Sequence, residues 1–349
     1  VRRRGAVSKQ VVQSGIFAEQ ESAGAKLAGI KPLIVFAGAG HANIVALRRL
    51  GGRIDAELVL VNDGRFAWYT GALPALIRGD VAPEQARIDV AALAARCGAR
   101  FVDARITGFD DGVLRCEGTD VAFDYLALSI GGEEIAGGVK PIPVLLRRIE
   151  TLLEMAAPRV GILGTGAAGV ELALALRIRL GAKAKIYVCG GTVLPSAPKR
   201  AAAVALRSLA DAGVEIVGEL PVGLDDVVHA YTPEPTRKIL PTLQLVAEED
   251  GLLRYARNDG VFASGDCARL PSPLPRSGAV AVAQGRVLAE NLRRSVDGRR
   301  LRSFVARTDY LAIMSLNRDE AVAWYRGISV GGVWPMRVKR FLDHRWLDS

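Results

Sequence analysis

The sequence predicts an α/β chain built around parallel sheets, and three observations predict it. A strand, a glycine turn, a helix and a second strand follow one another twice, with the turns 126 residues apart (Gly38 to Gly164). Such βαβ units are what build a parallel sheet. Glycine is abundant at 38 residues while aromatic residues make up only 6%. That mix suits tight turns and close helix–sheet packing better than an aromatic-rich sandwich. Half the residues are hydrophobic and about a quarter charged, as in ordinary globular domains, which excludes a disordered chain.

Each element follows from local chemistry. LIVFA runs into glycines, HANIVALRRLG reads as a helix, and AELVLVND as the next strand. Residues 83–98 (PEQARIDVAALAARCG) predict one helix with a Pro start and a Gly stop. Residues 99–130 hold several short strands. RVGILGTG, AAGVELALALRIRLG and AKIYVCGG repeat the strand–helix–strand pattern, followed by the helix KRAAAVALRSLADAG and the strand VEIVG. GVFASGDCARL is a further strand, which predicts Gly265-Asp266 at the head of a helix. SGAVAVAQGRVLAENLRRSVDG is a long helix closed by Gly. Residues 1–30 begin with basic residues and carry neither a core strand nor an apolar signal region, so they read as a flexible leader. The last 45 residues gather aromatic and basic side chains.

At 349 residues the chain has room for two or three domains. Pro32 to Leu47 is a long uncharged stretch, but its glycines, His41 and Asn43 argue against a membrane span. Four cysteines (Cys97, Cys116, Cys189, Cys267) without a CxxC exclude a disulfide scaffold and a zinc ribbon, and three scattered histidines leave no metal site. The net charge of +9 is spread, without a stacking module, so nucleic-acid binding is not expected.

GILGTGAAG carries Gly164, Gly166 and Gly169. The first permits the turn, the second lets a pyrophosphate approach, and the third lets helix and strand pack closely. The helix N-terminus then meets the phosphate charge. The first turn, AGAGHAN, has Gly38 and Gly40 but Asn43 at the third position. Asp63, after the second strand, is the candidate for a ribose hydroxyl. The second unit ends instead in Cys189-Gly190, so NADH and NADPH are not distinguished. Lys199 and Arg200 are either a 2′-phosphate grip or a solvated helix start. Glu171 either borders the nicotinamide site or complements the helix dipole.

The order of first glycine turn, second glycine turn and VFASGDCA resembles the pyridine nucleotide-disulfide oxidoreductase superfamily, flavoproteins with two dinucleotide-binding domains. More narrowly, the chain is similar to the type II NADH dehydrogenase-like branch, especially the flavoprotein often fused to selenide, water dikinase. The likeness covers about residues 32–349, through GAGHANIVALRRLGG, WYTGALPALIRGDVAPEQARIDVAALAARCGARFV, GILGTGAAGVELALAL, VFASGDCA and the tail DYLAIMSLN…AVAWYRGISVGGVWPMRVKRFLDHRW.

The resemblance implies two Rossmann-like domains, the second inserted into the first, plus a C-terminal α+β segment. It implies an FAD domain at 31–150 and 255–300, a shortened NAD(P)H domain at 151–254, and a segment at 301–349. Gly38, Gly40 and His41 would lie along the FAD pyrophosphate, with Gly265 and Asp266 at the ribityl–phosphate region. Gly164, Gly166 and Gly169 would hold NAD(P)H. Cys267 would lie near the flavin, or be a small packing residue. The implied activity is electron transfer from NAD(P)H through flavin to a quinone or similar acceptor, with no acid–base catalyst required. The basic, Trp-containing tail implies peripheral contact with the inner face of a membrane, or else a core cap and homodimer contact, in a cytoplasmic protein.

The chain also departs from the family. No cysteine pair follows the first turn, so thiol–disulfide exchange is not expected. Sulfide:quinone oxidoreductases use two cysteines beside the flavin; Cys97 and Cys116 do not sit at such positions, whereas Cys189 and Cys267 stay open. The strand that ends in ATG in the family reads VVHAYTPEP here, and the hairpin before it is nearly absent between Gly218 and Asp225. A second reading therefore stays open: a degenerate FAD-binding protein with a regulatory or structural role and little NAD(P)H turnover.

Overall fold

The structure is a computed structural model and describes residues 31–110, 112–132, 134–231, 254–255, 258–268, 277–305, 307 and 309–348. The leader and the second half of VVHAYTPEP lie outside the described residues.

The first unit opens with β1 (Leu33–Ala37), α1 (His41–Leu50) and β2 (Glu57–Asn62). A short ribbon, β3 (Phe66–Trp68), leads through α2 (Leu73–Arg78) to its antiparallel partner β4 (Arg87–Asp89), then to α3 (Val90–Arg96) and β5 (Arg100–Asp103). The antiparallel strands β6 (Ile106–Asp110), β7 (Val113–Cys116) and β8 (Thr119–Ala122) follow, then β9 (Tyr125–Leu128). The second unit runs α4 (Ile142–Glu154), β10 (Arg159–Leu163), α5 (Ala167–Leu180), β11 (Lys185–Cys189), α6 (Lys199–Asp211), β12 (Glu215–Val217) and β13 (Asp226–His229). The chain then returns to the first sheet with β14 (Arg254–Tyr255), β15 (Asn258–Ala263) and α7 (Gly278–Val296). It ends in β16 (Ala312–Ser315), β17 (Ala321–Tyr325), β18 (Ile328–Gly332) and α8 (Val333–Leu347).

The first sheet has the order β14-β15-β9-β1-β2-β5, parallel except for β14. The second, β12-β11-β10-β13, is parallel throughout. A parallel strand covered on both faces must be apolar throughout, and β1 shows why. Ile34 and Phe36 pack with α1 and α7, whereas Val35 and Ala37 pack against the β6–β8 sheet through Leu114, Val121 and Phe123. The second core joins α4, α5 and α6 to β10, β11 and β13. It also takes in Met314 and Val322 from the C-terminal sheet.

One predicted element is corrected. Residues 83–98 are not a single helix: Pro83–Ala86 is a 3-10 turn, Arg87–Asp89 is β4, and only Val90–Arg96 is α-helical. Asp89 explains the break. Its extended backbone pairs with Phe66, and its carboxylate accepts the Ala92 N–H at 2.9 Å, an N-cap that starts the helix there.

Candidate functional site

The first glycine turn sits between the carboxyl ends of β1 and β9. Gly38 has φ +81°, and a side chain there would stand 2.7 Å from the Ser129 carbonyl oxygen. A side chain on Gly40 would overlap both Ser129 oxygens. The turn is held by the Gly40 N–H, which donates to that same carbonyl at 3.0 Å. Helix α1 then starts at His41 with no acidic residue in its first turn, leaving its free N–H groups and dipole to an anion.

Asn43, the departure at the third glycine position, has a structural explanation. It is fully buried, and its amide nitrogen lies 3.1 Å from the Ala37 carbonyl, 2.9 Å from that of Gly38 and 2.8 Å from that of Ala127. It therefore ties together β1, the turn and β9. The close helix packing usual for a third glycine is supplied from the other side, by Gly285 of α7. A side chain there would stand 2.5 Å from the Ala42 carbonyl oxygen.

Asp63 is exposed just beyond β2. Its neighbour Asn62, which sequence reasoning missed, reaches back to accept the Ala39 N–H at 3.0 Å.

The Gly265-Asp266 motif reaches the same place. Ser264 donates its N–H to the Leu128 carbonyl, and Gly265 donates its own to Gln284 Oε1 at 2.7 Å. The expected helix head is corrected: Gly265–Cys267 is a single 3-10 turn, and α7 begins only at Gly278, capped by Ser277. The turn is pinned to α7 through Gln284, not continuous with it. Asp266 faces Lys140 at 3.9 Å.

His41 collects partners from distant segments. Its ring stacks on Trp346 (centroids 4.9 Å, 18°) and lies 5.7 Å from that of Tyr69. Arg48 covers Trp346 at 5.0 Å. Burial, then the Lys140 charge, lowers the His41 pKa to about 4 against the opposing pull of Asp266, so the imidazole is neutral at pH 7. Tyr69 donates to Asp343 Oδ1 at 2.8 Å, and burial raises its pKa. Lys339 of α8 donates to the Gly71 carbonyl and to Asp343. No local motif marks Tyr69, Lys140 or Trp346; they meet His41 only through the fold.

The second turn repeats the geometry in stricter form. Gly164 has φ +122°, and a side chain on Gly169 would overlap the Gly164 carbonyl oxygen. A side chain on Gly166 would meet nothing within 4 Å. Thr165 holds the loop after β11, donating to the Thr192 carbonyl and accepting the Leu194 N–H. Cys189 ends β11, with Sγ 3.4 Å from the Gly218 carbonyl. Lys199 and Arg200 are exposed at the start of α6. Glu171 turns toward the C-terminal sheet and accepts the Ser315 N–H at 2.6 Å. Burial lifts its pKa above the usual carboxylate range, partly offset by Lys339.

The four cysteines are free and belong to different elements. Cys267 is buried in the first core, and burial raises its thiol pKa to about 11, which fits a packing residue and not a thiolate nucleophile.

No protein-family model matches the chain, and no curated protein matches it. Solved structures do. The sulfide:quinone oxidoreductase of Aquifex aeolicus is similar with a TM-score of 0.73 and 14% identity, over 90% of each chain. NDH2 of Plasmodium falciparum in complex with NADH matches with a TM-score of 0.72 and 14% identity, over 90% of this chain and 97% of that one. A ferredoxin reductase of Rhodopseudomonas palustris matches with a TM-score of 0.63 and 17% identity, over 86% and 91%. At these identities the likeness speaks for the fold, and the chain has the α/β fold of these oxidoreductases.

Proposed function

We propose that the chain is an FAD-dependent oxidoreductase that takes electrons from NAD(P)H and passes them to a quinone or a similar small acceptor. One observation carries the reading. Two glycine turns each open a helix at the carboxyl edge of a separate parallel sheet, and the Gly265–Cys267 turn stands at the first of them. Neither helix has an acid in its first turn, so both ends suit a pyrophosphate.

On this reading residues 31–150 and 255–300 hold FAD, 151–254 hold NAD(P)H, and 301–349 form the C-terminal segment. Gly38, Gly40 and His41 border the FAD pyrophosphate, Asp63 a ribose, and Gly265 and Asp266 the ribityl–phosphate region. Since His41 is neutral at pH 7, Lys140 supplies positive charge beside the phosphates. Gly164, Gly166 and Gly169 hold the nicotinamide cofactor, and Glu171 borders it. The flavin, when bound, supplies the hydride and electron chemistry. The chain's own residues bind, orient and exclude water.

Helix α8 supports a peripheral membrane role. Its inner side docks through Lys339 and Asp343, while Trp334, Val338, Phe341 and Leu342 are exposed along one stripe, with Arg337 over Trp334. An apolar stripe edged by arginine is the pattern of interfacial helices. Among the described residues no helix is long and apolar enough to cross a membrane.

The test is to purify the protein, record its visible spectrum and assay quinone reduction with NADH and NADPH. A yellow protein releasing about one flavin per chain, active with a soluble quinone, supports the reading. A colourless protein that takes up no added FAD overturns it.

A further inference from the structure

VVHAYTPEP is the motif the proposed function leaves unused, and its described part occupies a particular place. From β10 the chain passes through α5 to β11 on one side, while β13 lies on the other. The crevice between the carboxyl ends of β10 and β13 is thus where the strand order reverses, and open α/β sheets bind ligands at such points. The N-terminus of α5 takes the pyrophosphate, and the end of β11 faces the adenosine ribose. The other half of a dinucleotide falls on the β13 side.

Two side chains stand there. His229 ends β13, and Tyr231 follows two residues later. Their rings stack with centroids 5.4 Å apart and planes inclined by 26°, and His229 Nδ1 lies 3.1 Å from the phenol oxygen. The backbone between them is fixed. The His229 N–H donates to the Gly137 carbonyl at 2.9 Å, and the Ala230 N–H donates to the Leu163 carbonyl at 2.8 Å. A side chain on Gly164 would stand 3.2 Å from the Ala230 carbonyl oxygen, so the pair adjoins the second glycine turn. Tyr231 nevertheless remains 52% exposed. The imidazole stacks offset toward the hydroxyl end of the phenol ring, and this contact and the Nδ1–hydroxyl hydrogen bond orient the ring.

We propose that His229 and Tyr231 form a stacking platform for the nicotinamide–ribose half of the dinucleotide at the second glycine turn. The proposal rests on the NAD(P)H reading of that turn. A planar ring offset-stacked on a fixed tyrosine gains contact area at little entropic cost. His229 is a positioning residue that acts by orienting the phenol.

Anaerobic calorimetric titration of the FAD-loaded protein, its flavin first reduced with dithionite so that no hydride passes, with NADH and with ADP-ribose, which lacks the nicotinamide, tests the proposal. Tyr231→Ala weakens NADH binding about tenfold and leaves ADP-ribose binding unchanged, whereas Tyr231→Phe keeps the stacking ring and NADH affinity within about twofold of the parent. Equal losses for both ligands, or no loss for NADH, overturn the platform. A parent protein that binds NADH no tighter than ADP-ribose overturns the platform alone. One that binds neither overturns the reading of the second turn with it.

Discussion

Replacing Gly169 by alanine puts the geometry of the second turn under direct test. A Cβ at this position would stand 1.9 Å from the Gly164 carbonyl oxygen and 2.9 Å from its carbon. Ordinary contact begins near 3.4 Å, so helix and turn must part by about 1.5 Å, the difference between 3.4 and 1.9 Å. The obstacle is backbone, so no side chain can swing away. Forced expansion of a packed core costs about 3 kcal/mol at the upper end of such substitutions, or roughly 4 °C in Tm for a chain of this size, at about 2.1 cal/mol/K of unfolding entropy per residue. Gly166→Ala is the internal control. Its Cβ meets nothing within 4 Å and its φ is −72°, so Tm holds within about 1–2 °C while NAD(P)H affinity falls, because the new methyl group stands where the pyrophosphate approaches. Differential scanning calorimetry measures the first, and anaerobic NADH titration of the protein with its flavin already reduced measures the second. A Gly169→Ala protein with unchanged Tm, or a Gly166→Ala protein that loses as much, refutes the reasoning.

Three further outcomes follow from named contacts. Asn43→Ala removes the amide shared by the Ala37, Gly38 and Ala127 carbonyls and costs about 2–4 kcal/mol in urea unfolding; Asn43→Gly, which restores the motif's third glycine, does not recover it. His41 binds its proton less tightly in the native state, at about 4, than its ordinary 6.5. Its contribution is therefore complete above pH 6.5, declines by roughly 2 kcal/mol as the pH falls toward 4, and levels off below that. Denaturation of the parent and His41→Gln from pH 8 to 4 isolates this slope, and parallel curves contradict it. A Trp334→Glu/Phe341→Glu protein, altered only on the exposed stripe of α8, keeps its Tm but no longer floats with anionic vesicles; undiminished flotation removes the membrane role.

Much of this arrangement is written locally. Each glycine turn combines an apolar strand, a φ that L side chains resist at Gly38 or Gly164, and a helix free of early acids. Such signals span about ten residues, so periodicity and turn chemistry reach them. The split of residues 83–98 is less visible. Arg87-Ile88-Asp89 is extended only because Phe66–Trp68 pairs with it, and helix propensity carries no record of that partner. The surroundings of His41 are hidden further. Tyr69, Lys140, Asp266 and Trp346 come from segments spread over most of the described chain, and Trp346 reaches the ring on α8, which docks through Lys339 and Asp343. Asn43 shows a third case, in which a residue that breaks a motif is explained only once the Ala127 carbonyl, 84 residues away, is seen beside it.

The central claim is that hydride passes from a nicotinamide at the second turn to a flavin at the first. Anaerobic stopped-flow mixing of the FAD-loaded protein with NADH or NADPH tests it most directly. The account predicts rapid bleaching of the flavin absorbance by at least one of the two, slowed in the Gly166→Ala protein. A flavin that stays fully oxidised with both contradicts it.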